Sequence, residues 1–260
     1  LWREAKEDLK SAGISISKDK DSGSWIAMFW RPIEEEEQVE ATETLDASKA
    51  EDSTLDVPCP PGLAFLPYQR GGIAYVESVL RRGTPGALIG DEMGLGKTIQ
   101  TIGFLNLHPE FRRILIVCPS SVKPNWKREG EKWNTTGLTW GIAEGSRKLP
   151  ETDVVIMNPD ILGKQKKRLA AIAWDVRVLD EAQYFKNKKA ARTKNALGIP
   201  AKFKLSLTGT PIENKIKEIH PIIEDLDPDT WGNFFTFAKR YCGARQESVP
   251  AWENGSPKME

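Results

Sequence analysis

Residues 86–100 read Gly86-Ala87-Leu88-Ile89-Gly90-Asp91-Glu92-Met93-Gly94-Leu95-Gly96-Lys97-Thr98-Ile99-Gln100. Ala87-Leu88-Ile89 is a short apolar run of the kind that forms a buried strand, and Ile99-Gln100-Thr101-Ile102 is compatible with a helix. A glycine-rich loop in that setting is built to hold phosphate. Glycines let successive N–H groups turn toward an anion, and the following helix N-terminus adds its dipole. Lys97 reaches the β- and γ-phosphates, and the Thr98 hydroxyl can ligate magnesium. The strict GxxxxGK[ST] pattern asks for glycine where this chain has Asp91, but GxGKT stands between strand and helix as the mechanism requires. Asp91, Glu92, Met93, Gly94, Leu95, Gly96, Lys97 and Thr98 are therefore the candidate nucleotide loop, with ATP and Mg2+ as the expected ligands.

Working outward from this loop, short apolar runs alternate with amphipathic stretches. The predicted strands are 87–89, 114–118, 140–143, 154–157, 176–179 and 203–207. Predicted helices lie between or before them at 68–81, 98–106, 122–133, 162–173 and 190–197. Such alternation implies an α/β fold with a mostly parallel sheet sandwiched by helices, whose functional loops sit at the carboxyl ends of the strands.

Two further strand ends carry chemistry. Val178-Leu179-Asp180-Glu181-Ala182-Gln183 places two adjacent carboxylates at the end of an apolar run, 83 residues beyond Lys97 (180 − 97). With a phosphate loop in the same chain, one of these carboxylates suits the magnesium shell and the other the attacking water, so that Lys97, Asp180 and Glu181 are the candidate catalytic set and Thr98 and Asp180 the candidate metal set. The competing reading of an isolated Asp-Glu pair is a solvated turn, and the order and spacing argue against it. Leu207-Thr208-Gly209-Thr210-Pro211 ends a third strand. Its two hydroxyls can bond near the acidic loop and report nucleotide state to a distant surface.

GDEMGLGKTIQ at 90–100, DEAQYFKN at 180–187 and LTGTPIEN at 207–214, with LPYQRGG at 66–72 and CPSSVKPNWKRE at 118–129, closely resemble the Snf-type double-stranded DNA translocases of helicase superfamily two. The resemblance covers about residues 63–242, and it accounts for Asp91, which this family carries at that position. It implies a RecA-like P-loop NTPase lobe in which Gln69 contacts adenine and Thr208, Gly209 and Thr210 couple hydrolysis to DNA movement. Gln183 stands where many members have His, a variation that bears on coupling. Residues 231–242 also look like the family stretch after the TGTP turn, especially in bacterial, phage and annealing-helicase branches. Sequence-independent duplex DNA contact is expected at 119–127, at 158–160 and at 186–189, with Ser120, Ser121, Lys123, Asn158 and Lys188 as candidates. The basic runs 164–168 and 186–194 read equally as solvated helix faces.

The family works with two RecA-like lobes, the second supplying arginines across the ATP cleft. The expected organisation is a small β-rich appendage at 1–33, an acidic linker at 34–60, the ATP-binding lobe at 61–245 and a tail at 246–260 leading to a second lobe that this chain does not contain. Without those arginines, hydrolysis by these residues alone is expected to be very weak. The alternatives are a strand-separating helicase or restriction-type translocase subunit, and a non-hydrolysing nucleotide- or DNA-binding module.

Composition bounds the remaining possibilities. The 260 residues are 39% hydrophobic and 28% charged, a globular profile, and no apolar run approaches the roughly 18 residues that cross a bilayer. The polar N-terminus has no signal-peptide h-region and no initiator Met, which suggests a fragment. Three scattered cysteines and two histidines exclude a disulfide framework and a zinc hydrolase, and point to an intracellular setting. The net charge of zero is uneven. Residues 34–56 carry ten acidic groups and one basic group (−9) and residues 1–33 carry six basic and five acidic (+1), so residues 57–260 carry +8, as a polyanion-binding body would. Residues 14–30, with Ile14, Ile16 and a Trp25-to-Trp30 apolar stretch around a KDKDSG turn, predict a β-hairpin.

Overall fold

The computed structural model describes residues 53–212 and 215–242, together with short strands at 14–18, 25–29, 244–245, 252–253 and 256–257. The bulk of the acidic stretch, 34–52, and the TGTP-flanking residues 213 and 214 lie outside the described residues. Two compact units result, one formed by 1–37 with 233–260 and the other by 38–232.

In the first unit β1 (Ile14–Lys18) pairs antiparallel with β2 (Trp25–Phe29), which pairs with the two-residue strand Ala244–Arg245. The helix of this unit, Phe234–Tyr241, is capped by Asn233, whose side chain accepts from the N–H groups of Phe235 and Thr236.

The second unit contains a six-stranded sheet. Helix α1 (Pro67–Arg81) precedes β3 (Gly86–Ile89), α2 (Lys97–Leu107), β4 (Ile114–Val117), α3 (Lys123–Trp133), β5 (Trp140–Ile142) and β6 (Val154–Met157). Then follow α4 (Pro159–Ala170), β7 (Trp174–Asp180), α5 (Ala191–Leu197), β8 (Ala201–Leu207) and α6 (His220–Leu226). The order across the sheet is β3-β8-β7-β4-β6-β5, with every pairing parallel. The α/β reading holds, and each predicted strand is present.

Alternation along the strands sorts the core into two layers. Ile114, Ile116, Val154, Ile156, Val176 and Val178 face α1, α2 and α3, meeting Ile73, Val76, Ile102, Phe104, Leu105 and Trp126. Leu115, Val117, Val155, Met157 and Leu179 face the other way, onto Ile161, Leu162, Leu169, Phe185 and Ala196 of α4, α5 and the turn before α5. This two-sided burial is why the strands are continuously apolar. Helix α4 departs from expectation by starting at Pro159 instead of Leu162 and ending at Ala170, because proline is pre-set for the first helical position.

Residues 53–60, expected at the end of the acidic linker, instead pack on the body. Val57 is buried, Leu55 and Cys59 pack against the same core, and the Asn106 side-chain amide donates to the Pro58 carbonyl at 3.0 Å. Leu55, Val57 and Cys59 alternate with the exposed Thr54, Asp56 and Pro58, so one side of this extended piece is apolar enough to adhere.

Arg177 interrupts the apolar run of β7 and points into the second layer, fully buried. One guanidinium nitrogen donates to the carbonyls of Ala196, Leu197 and Ile199 at the end of α5, and the other donates to Asp225 on α6. Arg177 thus satisfies carbonyls that a helix end leaves free and ties two helices to one strand.

Candidate nucleotide site

Strand order builds the site. Because β8 lies between β3 and β7, the phosphate loop after β3, the TGT turn after β8 and the Asp-Glu pair at the end of β7 emerge side by side at one edge of the sheet. Ligand sites of open parallel sheets form outside such carboxyl ends.

The loop folds as its glycines allow. Gly94 and Gly96 have positive φ angles of 89° and 77°, and Gly96 caps α2 in the left-handed conformation with no side-chain bond to the helix N-terminus. The first N–H groups of α2 are therefore left for an anion. Lys97 Nζ donates to the carbonyls of Asp91 at 2.6 Å and Glu92 at 2.9 Å, curling over the loop where phosphate oxygens would compete for it. Asp91 has a structural task. Its carboxylate accepts from the buried Gln100 amide at 2.7 Å, and the same amide donates to the Leu95 carbonyl at 3.4 Å, so Gln100 clasps both ends of the loop. Gln69 abuts the loop from α1: its Oε1 accepts the Leu66 N–H at 3.0 Å, and a Cβ placed on Gly96 would lie 2.5 Å from its Nε2.

At the end of β7 both oxygens of Asp180 are engaged. Oδ2 accepts the indole N–H of Trp126 at 2.8 Å and Oδ1 accepts the Glu181 N–H at 3.0 Å. Burial pushes the Asp180 carboxyl above the ordinary carboxylate range, with Glu181 adding to the rise and the Trp126 bond and Lys97 opposing it. Cys118, at the end of β4, is pushed up to about 12 by burial and by the neighbouring Asp180. Glu181 is the one non-glycine with positive φ (52°) among the described residues, a strained conformation of the kind that collects at functional sites.

From Glu181 a hydrogen-bonded chain leads out of the site. The Gln183 amide donates to Glu181 Oε2 at 2.7 Å, the Thr208 hydroxyl donates to Gln183 Oε1 at 2.7 Å, and the Thr210 N–H donates to Thr208 Oγ1 at 3.1 Å. Gly209 is pressed onto the phosphate loop, where a Cβ would meet Met93 Cγ at 2.7 Å and stand 3.7 Å from Lys97 Nζ. The three motifs read from the sequence are thus in contact.

A cavity of about 350 Å³ opens between them, lined by the loop residues Met93, Gly94, Gly96, Lys97, Thr98 and Ile99 with Asp180 and Glu181, and walled on the far side by Val122, Asn125, Trp126 and Glu129 of α3 and the turn before it. Sequence reasoning did not place this wall in the site. Trp126 fell in the stretch expected to face DNA, yet it is fully buried. The available signal was the spacing of Val122, Trp126, Gly130 and Trp133, one apolar stripe of a helix. Magnesium fits the donors present. Thr98 and Asp180 offer hard oxygens in the one cavity, and an ion completed by phosphate oxygens and water needs few protein ligands.

Of the DNA candidates, Ser120 and Ser121 are exposed in a single turn after β4, and Lys123 Nζ donates to Asn158 Oδ1 at 3.3 Å, bringing the ends of β4 and β6 together. Lys188 stands elsewhere, paired with Glu224. No described helix is long and apolar enough to cross a membrane.

Residues 68–249 match the model of the SNF2-related domain. The chain belongs to that family. Over 211 residues this SNF2-related chain is 35% identical to Protein CHROMATIN REMODELING 19 of Arabidopsis thaliana, covering 71% of the chain and 27% of that protein. It is 31% identical over 216 residues to the DNA repair and recombination protein RAD54B of Gallus gallus, covering 75% and 24%. The chain therefore spans about a quarter of the length of these relatives. The SWI2/SNF2 ATPase core of Sulfolobus solfataricus, solved in complex with dsDNA, superposes with a TM-score of 0.64 at 30% identity, over 73% of this chain and 41% of that one. The same core solved as the ATPase core domain gives 0.60 at 28% identity, over 72% and 39%. The sheet is thus that of a RecA-like SNF2 ATPase lobe.

Proposed function

We propose that this SNF2-related lobe binds ATP with Mg2+ and takes part in DNA-stimulated hydrolysis that drives movement along duplex DNA without regard to sequence. The observation that carries this reading is the cavity in which Lys97, Thr98, Asp180 and Glu181 meet, with the TGT turn bonded to its rim. Lys97 would leave the Asp91 and Glu92 carbonyls for phosphate oxygens, helped by the free N–H groups at the start of α2. Thr98 and Asp180 would hold magnesium, which supplies charge neutralisation at the transferring phosphoryl group. Glu181, oriented by Gln183, would align the attacking water and take up its proton.

Duplex DNA would lie on Ser120, Ser121, Lys123 and Asn158, where hydroxyl, amide and ammonium donors suit a phosphate backbone rather than base edges. The likeness to a SWI2/SNF2 core solved in complex with dsDNA supports duplex DNA as the partner. Gln69 would meet the adenine. A second RecA-like lobe would close the cleft, consistent with the chain matching only 41% of that core, and the setting would be intracellular. The test is ATP turnover by the full-length gene product with and without duplex DNA. Stimulation by duplex that vanishes with Lys97→Ala is the expected result, and turnover indifferent to DNA would overturn the reading.

A further inference from the structure

We infer that Trp126 is a positioning residue for the metal-facing carboxylate of Asp180, an inference that rests on the ATPase reading above. Trp126 sits in the first turn of α3 and is fully buried, its ring enclosed by the core. Its indole N–H donates at 2.8 Å to Asp180 Oδ2, while the neighbouring backbone N–H of Glu181 holds Oδ1 at 3.0 Å. A carboxylate gripped at both oxygens by rigid donors keeps a single rotamer, leaving its remaining lone pairs aimed at the cavity. Partners of metal-ligating carboxylates act through this orientation, and their loss typically weakens metal binding about 10- to 100-fold.

The position of Trp126 adds a consequence. The turn Ser120–Val122 runs directly into α3, so the residues proposed to touch DNA and the residue that grips Asp180 belong to one continuous segment. Any shift of that segment against a duplex moves the indole donor, and with it the Asp180 carboxylate. No other described side chain donates to Asp180, so the grip depends on Trp126.

The test is Trp126→Phe in the full-length gene product, which keeps an aromatic ring but removes the donor. Binding of a fluorescent ADP analogue is followed as magnesium is titrated, with the circular dichroism spectrum and thermal midpoint of the variant as the control for folding. The expected result is about a tenfold rise in half-saturating magnesium. Half-saturation within about twofold of the wild type overturns the role of Trp126. Should the variant fail the folding control, fluorine NMR of the wild type labelled with 5-fluorotryptophan decides the matter. The Trp126 resonance shifts when magnesium is added to the ADP complex if the inference holds, and stays still if it does not. A wild type whose nucleotide binding ignores magnesium instead overturns the ATPase reading itself.

Discussion

Replacing Thr208 by valine should uncouple the nucleotide site from DNA while leaving the site itself in place. The Thr208 side chain is fully buried, and valine has nearly its shape, so packing changes little. What disappears is the hydroxyl that donates to Gln183 Oε1 at 2.7 Å and accepts from Thr210 N–H at 3.1 Å. Two neutral hydrogen bonds at about 1 kcal/mol each give a stability loss of roughly 2 kcal/mol. For a unit of this size that is a fall of about 4–8 °C in the thermal midpoint. The functional loss differs in kind. Gln183 keeps its bond to Glu181 but is no longer fixed from the TGT side, so the position of Glu181 ceases to depend on that turn. If the link carries about 1 kcal/mol of coupling, duplex stimulation of ATP turnover falls about fivefold, with turnover in the absence of DNA changed much less. A double-mutant cycle with Gln183→Ala isolates the link, and an interaction energy near 1 kcal/mol is expected. Stimulation effects of the two substitutions that add to within about 0.3 kcal/mol would refute the relay.

Three further outcomes follow from the same structure. Arg177→Met should destabilise the unit by about 3 kcal/mol in denaturant unfolding, because Asp225 and three carbonyls lose a buried cation. The value sits at the low end of the range for broken buried pairs because Lys204 Nζ also stands 3.5 Å from Asp225. Asp175 works against its own burial. The Lys202 ammonium and the N–H groups of Arg112 and Arg113 hold its carboxyl below the usual 3.8. Its contribution to stability is therefore present above the unfolded pKa and lost as pH falls through the lower folded value, so Asp175→Asn should flatten the acid limb of an unfolding profile. The Cys118 thiol, raised to about 12 and fully buried, should resist maleimide at pH 8 in the folded protein and react once the chain is unfolded; peptide mapping that finds Cys118 itself labelled in the native protein, beside the part-exposed Cys59 and Cys242, would contradict its placement.

What was legible in the sequence was whatever fits inside one short segment. The phosphate loop, the Asp-Glu pair and the TGT turn each need only a strand end and a few residues of fixed type, so their chemistry is written locally. The parallel sheet was readable because two-sided burial leaves continuous apolar strands such as 114–117. What escaped reading depends on distant partners. Nothing near Trp126 announces that its indole meets a carboxylate 54 residues away. The partners of the arginine inside β7, the carbonyls at the end of α5 and Asp225, lie 19 to 48 residues away and leave no mark in its own segment. Residues 53–60 were read with their acidic neighbours because composition averages over a window, whereas burial is decided residue by residue at Leu55, Val57 and Cys59. The family resemblance accounts for the presence of Asp91, but its structural task shows only in the Gln100 amide nine residues on.

The most direct measurement is ATP turnover of the full-length gene product with and without duplex DNA, beside Lys97→Ala. Duplex-stimulated turnover that is abolished in the variant is the predicted result. Turnover that ignores duplex, or that persists without the Lys97 ammonium, would contradict the assignment of this cavity as the engine of a DNA motor.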